Sequence, residues 1–481
     1  MRVNTPAPSS STPARTGHQG LARSLGHGQM AMIAMGSALG TGLFLGSGEA
    51  IEIAGPAVII SFALGSLIAA TIALSMGEMA SRHPVRGGFG TLAAHYLSPF
   101  WGYISRWLYW FVTVCVTGAE LVACAAYLAY WVPEIPIWAG ILLFAAVIIC
   151  INLASVGSFG IVEFFLSSIK VIAVFVFILI GAVLVFVGLP DAPAPGLAQL
   201  TADGGFAPMG WAPVWIALSV VMFSFGGIEL LSITAAEAKD PARSIRTAAR
   251  TTVVRLAFFY VFCIGIVLCL VPWRTAAGTG EDVATSPFVM VFDQLGIPGA
   301  AHITNLLVLI AALSAANANL YAGSRMIHSL AADGLAPRFA SHTTARKVPV
   351  VGIALSSLGL LGAAALAFSG VGGVFGYMMS LVVFSVILVW ALILCTYIVF
   401  RRRGVTGATF RMPGGVFSAV IGLVGLAAVF ATIAVRPSMQ VAAMVGAPAV
   451  LVATALYFLV ARRRINPSDI EEAFAEAESM R

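Results

Sequence analysis

Charged side chains are scarce in this sequence. Asp, Glu, Lys and Arg make up 10% of its 481 residues, against about 25% in soluble globular proteins. So few charges leave a water-facing surface uncovered, which excludes a soluble globule. The seven histidines are scattered, and no apolar stretch holds a His-Asp or His-Glu pair at catalytic spacing. The six cysteines, Cys115, Cys124, Cys150, Cys263, Cys269 and Cys395, all lie inside apolar stretches rather than at metal-ligand spacing. Apolar packing accounts for them, and neither a metal nor any other cofactor is expected. The first 24 residues are rich in Pro, Ser and Thr and lack the apolar core of a signal peptide; they read as a disordered tail.

What is abundant is hydrocarbon: 60% of the residues are hydrophobic. Nearly charge-free stretches recur along the chain, each long enough to cross a bilayer core of roughly 30 Å. Lipid offers backbone groups no partner, so such segments are helices. Spans are expected over Met30–Gly48, Pro56–Met76, Trp101–Ala129, Ile135–Leu153, Phe164–Val187 and Trp211–Ala235. The second half adds Val253–Val271, Ile303–Met326, Val351–Phe368, Phe375–Phe400, Phe417–Val435 and Val441–Val460. About twelve transmembrane helices make this an all-α integral membrane protein.

The net charge of +6 does not imply a nucleic-acid partner, because Lys and Arg collect in the cytoplasmic loops of membrane proteins. With an intracellular amino terminus, only Arg274 and Arg436 fall on external loops, so both termini are expected inside. Trp101, Tyr103, Trp107, Tyr109 and Trp110 crowd one end of the third span, and Trp131 and Trp138 flank the other; they read as interfacial belts. After the last span, Ser468 and Glu471 head a short helix, DIEEAFAEAE, to which no function is assigned.

Two spans break their own rules. In the first, Gly36-Ser-Ala-Leu-Gly40-Thr-Gly42 puts three glycines in seven residues; in the sixth, Ser224-Phe-Gly226-Gly227-Ile-Glu229 sets two adjacent glycines between a serine and a glutamate five helices later. Glycine costs about 1 kcal/mol relative to alanine in a helix interior. Transporters built on inverted repeats bind substrate where two such helices unwind at corresponding places. Free N–H groups at the start of a half-helix suit a carboxylate and free carbonyls suit an ammonium, so a zwitterionic amino acid matches both. The bland reading is that these glycines only let helices approach closely.

Ionisable residues in hydrocarbon are costly and default to functional hypotheses. Glu229 directly follows the second break, where it either meets a substrate ammonium, holds a proton, or bonds a neighbouring helix. Glu120 belongs to a stripe of Thr113, Thr117, Glu120, Cys124 and Tyr127 on one helical face, a pathway lining or a buried seam. Lys170 either snorkels to the inner interface or, kept from water, exchanges a proton. Ser314, Asn317, Tyr321 and Ser324 form a second stripe, set against the central site or against neighbouring helices. Glu78 and Glu163 read as structural, Glu163 as an anion near the start of the fifth span.

Four stretches resemble the bacterial amino-acid permeases of the amino acid-polyamine-organocation superfamily. They are HGQMAMIAMGSALGTGLFLGSGEAIEIAGP, then AGPAVIISFALGSLIAATIALSMGEMASRHP, then SFGGIELLSITAAEAKDPARSI, and NANLYAGSRMIHSLAADGLAP from Asn317. The resemblance implies the leucine-transporter fold, a five-plus-five inverted repeat with two extra C-terminal helices. The chain then divides into a tail over 1–26, a transporter domain over 27–465 and a second tail over 466–481. Within the domain, the repeats cover about 27–190 and 208–403, and the extra helices about 415–462. It implies that Gly40, Thr41 and Gly42 offer N–H groups to a substrate carboxylate, that the Ala38 carbonyl takes the amine, and that Phe223 gates the site beside Gly226, Gly227 and Glu229. Lys170 stands where sodium-driven relatives of the fold hold sodium, and Glu120 matches an acidic position of many members. Ser37, Ala38 and Arg246 depart from the common pattern.

The expected function is secondary uptake of an amino acid across the bacterial plasma membrane by proton symport, with amino acid, protons and the lipid bilayer as partners. The alternatives are an amino-acid exchanger, a non-transporting amino-acid sensor, or an integral-membrane enzyme. Oligomeric state and the particular amino acid are not legible.

Overall fold

The computed structural model describes residues 39–85, 87–188, 193–234, 257–278, 286–294, 299–405, 407–408, 410–465 and 467–479, with Gly28 and Met32. The 1–26 tail, Gly36, Ser37, Ala38, Lys239, Arg243, Arg246, Arg250 and the start of the seventh span lie outside the described residues.

Every expected span has a helical counterpart among the described residues. The chain runs through α1 (Thr41–Phe44), α2 (Gly46–Ala54), α3 (Val58–Arg82), α4 (Gly88–Tyr96), α5 (Pro99–Ala129), α6 (Ile137–Ala154) and α7 (Val156–Phe186). It continues with α8 (Ala212–Ser224), α9 (Leu230–Thr234) and α10 (Ala257–Leu270). Then come α11 (Pro287–Gln294), α12 (Ala300–Ala332), α13 (Val350–Ser356), α14 (Leu358–Phe368), α15 (Val374–Arg402), α16 (Val416–Ala431), α17 (Pro437–Leu459) and α18 (Pro467–Ser479). Among the described residues nine stretches are long and apolar enough to cross a membrane, and α8 and α10 are shorter apolar helices. The core lies where α5, α12 and α15 pack together, while α16 and α17 leave Phe417, Val424, Met444 and Leu451 exposed to the surroundings.

One boundary differs in a way that matters for the site. The fifth span begins at Val156, eight residues before the expected Phe164, because the Ser155 hydroxyl accepts the Ser158 N–H at 3.0 Å and starts the helix there. Glu163 therefore sits inside α7 and not at its N-terminus. The aromatic belt is also narrower than expected. Trp101 and Trp138 are exposed, but Tyr103 and Tyr109 are buried, Tyr109 edge-on to Phe89 and Tyr103 against Tyr457.

Ion pairs fasten both ends of the bundle. At the arginine-rich end, Glu78 accepts from Arg401 at 2.7 Å, Tyr397 at 2.6 Å and the Met412 N–H at 2.8 Å. Arg106, buried in α5, pairs with Asp333 after α12. The C-terminal helix α18 begins at Pro467, so Ser468 lies in its first turn. It docks there by stacking Phe474 on His95 of α4, ring centroids 4.1 Å apart, and by Glu478 meeting Arg82 at 3.4 Å. At the opposite end, Arg436, just before α17, pairs with Glu49 of α2 and donates to Ser219 of α8 at 2.8 Å.

Candidate functional site

Both expected breaks are present. Gly40 is extended, and α1 begins at Thr41; α8 ends at Ser224, and turns carry the chain from Phe225 to Glu229 before α9. Gly227 has φ +98°, a region that β-carbons disfavour, so glycine permits the turn. The two breaks cross. A β-carbon on Gly42 would stand 2.6 Å from the Ser224 α-carbon and 2.9 Å from Phe223 Cδ1. Packing thus demands glycine at this crossing.

Glu120 of α5 reaches into the first break. Both of its carboxylate oxygens accept the Thr41 N–H, each at 3.3 Å, and a β-carbon on Gly40 would lie 2.5 Å from Glu120 Oε1. The rest of its stripe is a seam. Thr113 and Thr117 donate to carbonyls one turn back, and Asn305 of α12 donates to the Tyr127 carbonyl. The hydroxyls of Thr41 and Ser224, both buried, have no hydrogen-bond partner among the described residues. Buried polar groups are rarely left so.

Glu229 is used at both oxygens. Oε1 accepts the Gly227 N–H at 3.2 Å and Oε2 accepts the Trp390 indole N–H of α15 at 3.2 Å. The carboxylate braces the second break. Tyr260 of α10 adds to this by donating to the Ser224 carbonyl left free where α8 ends. Phe223, buried, stands edge-on to Phe375, centroids 6.1 Å apart. Phe375 also lines an apolar cavity of about 220 Å³ with Leu45, Val122 and Ile137.

Lys170 does not snorkel. It is 1% exposed, and at 1.5 Å per residue it lies about 21 Å from the start of α7. Its charge acts with those of Glu163 and Glu120. Glu163, fully buried, accepts from Ser167 at 2.9 Å, from Ser314 of α12 and from Asn317 at 3.1 Å; Asn317 in turn accepts from Asn152 of α6 at 2.8 Å. The α12 stripe therefore faces α7. Tyr321 stacks on Phe159 at 3.7 Å, and Ser324 bonds within its own turn.

The sequence reading took Glu163 as a structural anion at a helix start, because its place near a hydropathy boundary suggested a helix end, and so missed its buried hydrogen-bond cluster. A seven-residue step to Lys170, two turns on one face, was the available signal. Nothing in the sequence pointed to Trp390 or Tyr260.

A family model described as amino acid permease matches residues 29–466. The aromatic amino acid transport protein AroP of Salmonella typhimurium strain LT2 is 39% identical over 424 residues, 88% of this chain and 92% of that protein. AroP of Escherichia coli K12 is 38% identical over the same shares. With its apolar helices the chain is a multi-pass membrane protein, a transporter and not an enzyme. A match over so much of its length, joined to two broken helices that cross at glycine, means that the chain belongs to the amino acid permease family.

Proposed function

We propose that this permease imports aromatic amino acids across the bacterial inner membrane by proton symport. The observation that carries the symport reading is Lys170, buried in α7 and interacting electrostatically with two carboxylates, Glu163 and Glu120, of which Glu120 reaches the first break. A sodium ion does not sit comfortably beside a fixed positive charge, and a group that gains and loses a proton in step with opening supplies the coupling. The aromatic class is supported by the relatives' names and by Phe223 and Phe375 meeting above the crossing.

In this reading the substrate carboxylate is held by N–H groups at Gly40, Thr41 and Gly42 and by the Thr41 hydroxyl, with the amine toward the Ala38 carbonyl. Gly226, Gly227 and Glu229 form the facing wall, Phe223 closes the site, and Lys170 and Glu120 serve the proton. The two breaks are equivalent points of a five-plus-five inverted repeat. The arginine-rich loops support a cytoplasmic location for both termini.

Uptake of labelled phenylalanine into reconstituted vesicles tests this. It should rise as external pH falls, stop on adding a protonophore and ignore replacement of sodium by choline. A strict sodium requirement, or equal uptake without any proton gradient as an exchanger gives, would overturn symport. Competition across the amino acids and gamma-aminobutyrate tests the substrate class.

A further inference from the structure

Resting on the symport reading, we propose that Glu120 is an internal competitor for the substrate: its ionised carboxylate occupies the Thr41 N–H, and the transported proton neutralises it so that the substrate carboxylate takes its place.

Glu120 and Glu163 are set against one lysine, and their compensation is unequal. Glu163 accepts three side-chain donors, from Ser167, Ser314 and Asn317, a set that suits a permanent anion and pairs it with Lys170. Glu120 has a single N–H shared between its two oxygens. With both carboxylates ionised and Lys170 protonated the buried cluster carries one net negative charge, and burying a net charge is costly. One proton makes it neutral, and the weakly compensated Glu120 receives it.

The location turns this proton into a coupling device. Glu120 bonds the first N–H of α1, the group that a substrate carboxylate would use, and two anions cannot share it. The groups that interact electrostatically with Glu120 are Lys170 from α7, Tyr260 from α10, and Cys124 and Tyr127 from its own helix. Among the described residues Lys170 is the one charge acting on it. The Thr41 hydroxyl, buried beside the N–H and near Glu120, is a second donor that a substrate oxygen can take once Glu120 yields. Protonated Glu120 keeps an acceptor oxygen but loses its charge, so its hold on the Thr41 N–H weakens and the charged substrate carboxylate displaces it.

The test is equilibrium binding of phenylalanine to the solubilised full-length protein, at several values from about pH 5.5 to about pH 8, together with counterflow in vesicles. Wild-type affinity should weaken by up to about tenfold per pH unit as pH rises, the slope of one linked proton. Glu120→Gln, a mimic of the protonated acid, should bind with an affinity that changes less than about twofold over the same range, keep counterflow, and lose accumulation driven by a pH gradient. Should that variant fail to reach the membrane, Glu120→Asp, which withdraws the acid from Thr41, should bind more tightly than wild type at the alkaline end. A glutamine variant with the full wild-type pH slope, or an aspartate variant no tighter than wild type, overturns the proposal. A wild type without any pH slope overturns the symport reading instead.

Discussion

Gly42 and Ser224 bring the two broken helices into backbone contact: a β-carbon on the glycine would be 2.6 Å from the serine α-carbon. Neither backbone can yield as a flexible side chain would. Gly42→Ala is therefore expected to cut phenylalanine uptake at least about tenfold and lower thermal stability, since overpacking costs typically 1–3 kcal/mol. Gly46→Ala is the control, because its added carbon meets Met379 Sδ at an ordinary 3.5 Å and should leave uptake near wild type. Equal effects of the two would remove the crossing from the argument.

Breaking a buried ion pair by removing one partner costs about 3–5 kcal/mol, whereas removing both costs much less. Lys170→Met and Glu163→Gln should each lower the melting temperature in detergent, and the double variant should recover part of the loss. Lys170→Ala should also lose accumulation driven by a pH gradient while exchange across equilibrated membranes partly survives. Additive destabilisation in the double variant would show that Lys170 and Glu163 do not act as a pair.

Glutamine at position 229 would keep one acceptor and turn an amide donor toward either the Gly227 or the Trp390 N–H. Uptake by Glu229→Gln should fall at least about tenfold, since a buried donor left unsatisfied costs about 1–3 kcal/mol, while membrane insertion is retained. Trp390→Phe, which frees one carboxylate oxygen and leaves Gly227 capped, should fall less. Near-normal uptake by the glutamine variant would remove Glu229 from the site and from the brace.

His95 stacks beneath Phe474 of α18, and burial, helped by nearby Arg403 and opposed by Glu471, holds its imidazole below the usual histidine range. The docked state thus favours the neutral ring. Docking of α18 is complete above the ordinary histidine pKa of about 6.5 and weakens as pH falls below it. A fluorophore at exposed position 472 should report release of the helix on acidification, and His95→Phe should abolish the response. A pH response that persists in the phenylalanine variant would assign it to another group.

The breaks were legible because glycines grouped within a span are costly in a helix interior and recur at matched positions in two spans. Glu120 and Glu229 were legible as acids in hydrocarbon. Their partners were not: Thr41 lies 79 residues from Glu120 and Trp390 lies 161 from Glu229, and such distances leave no periodic trace. Lys170 was visible but its burial was not, since the length of α7 depended on the Ser155 cap, and the same cap hid Glu163. Stripes at helical spacing showed that a face was polar without showing which helix it faced.

Arg436 holds Glu49 on α2 and Ser219 on α8 at once, and it belongs to the connection between the last two apolar helices. The half-helix after the first break and the half-helix that leads into the second are thereby moored to one guanidinium. The closing pair of helices is then a fixed post against which the moving parts are tethered. Any excursion of α2 or α8 must either drag that post along or let go of it.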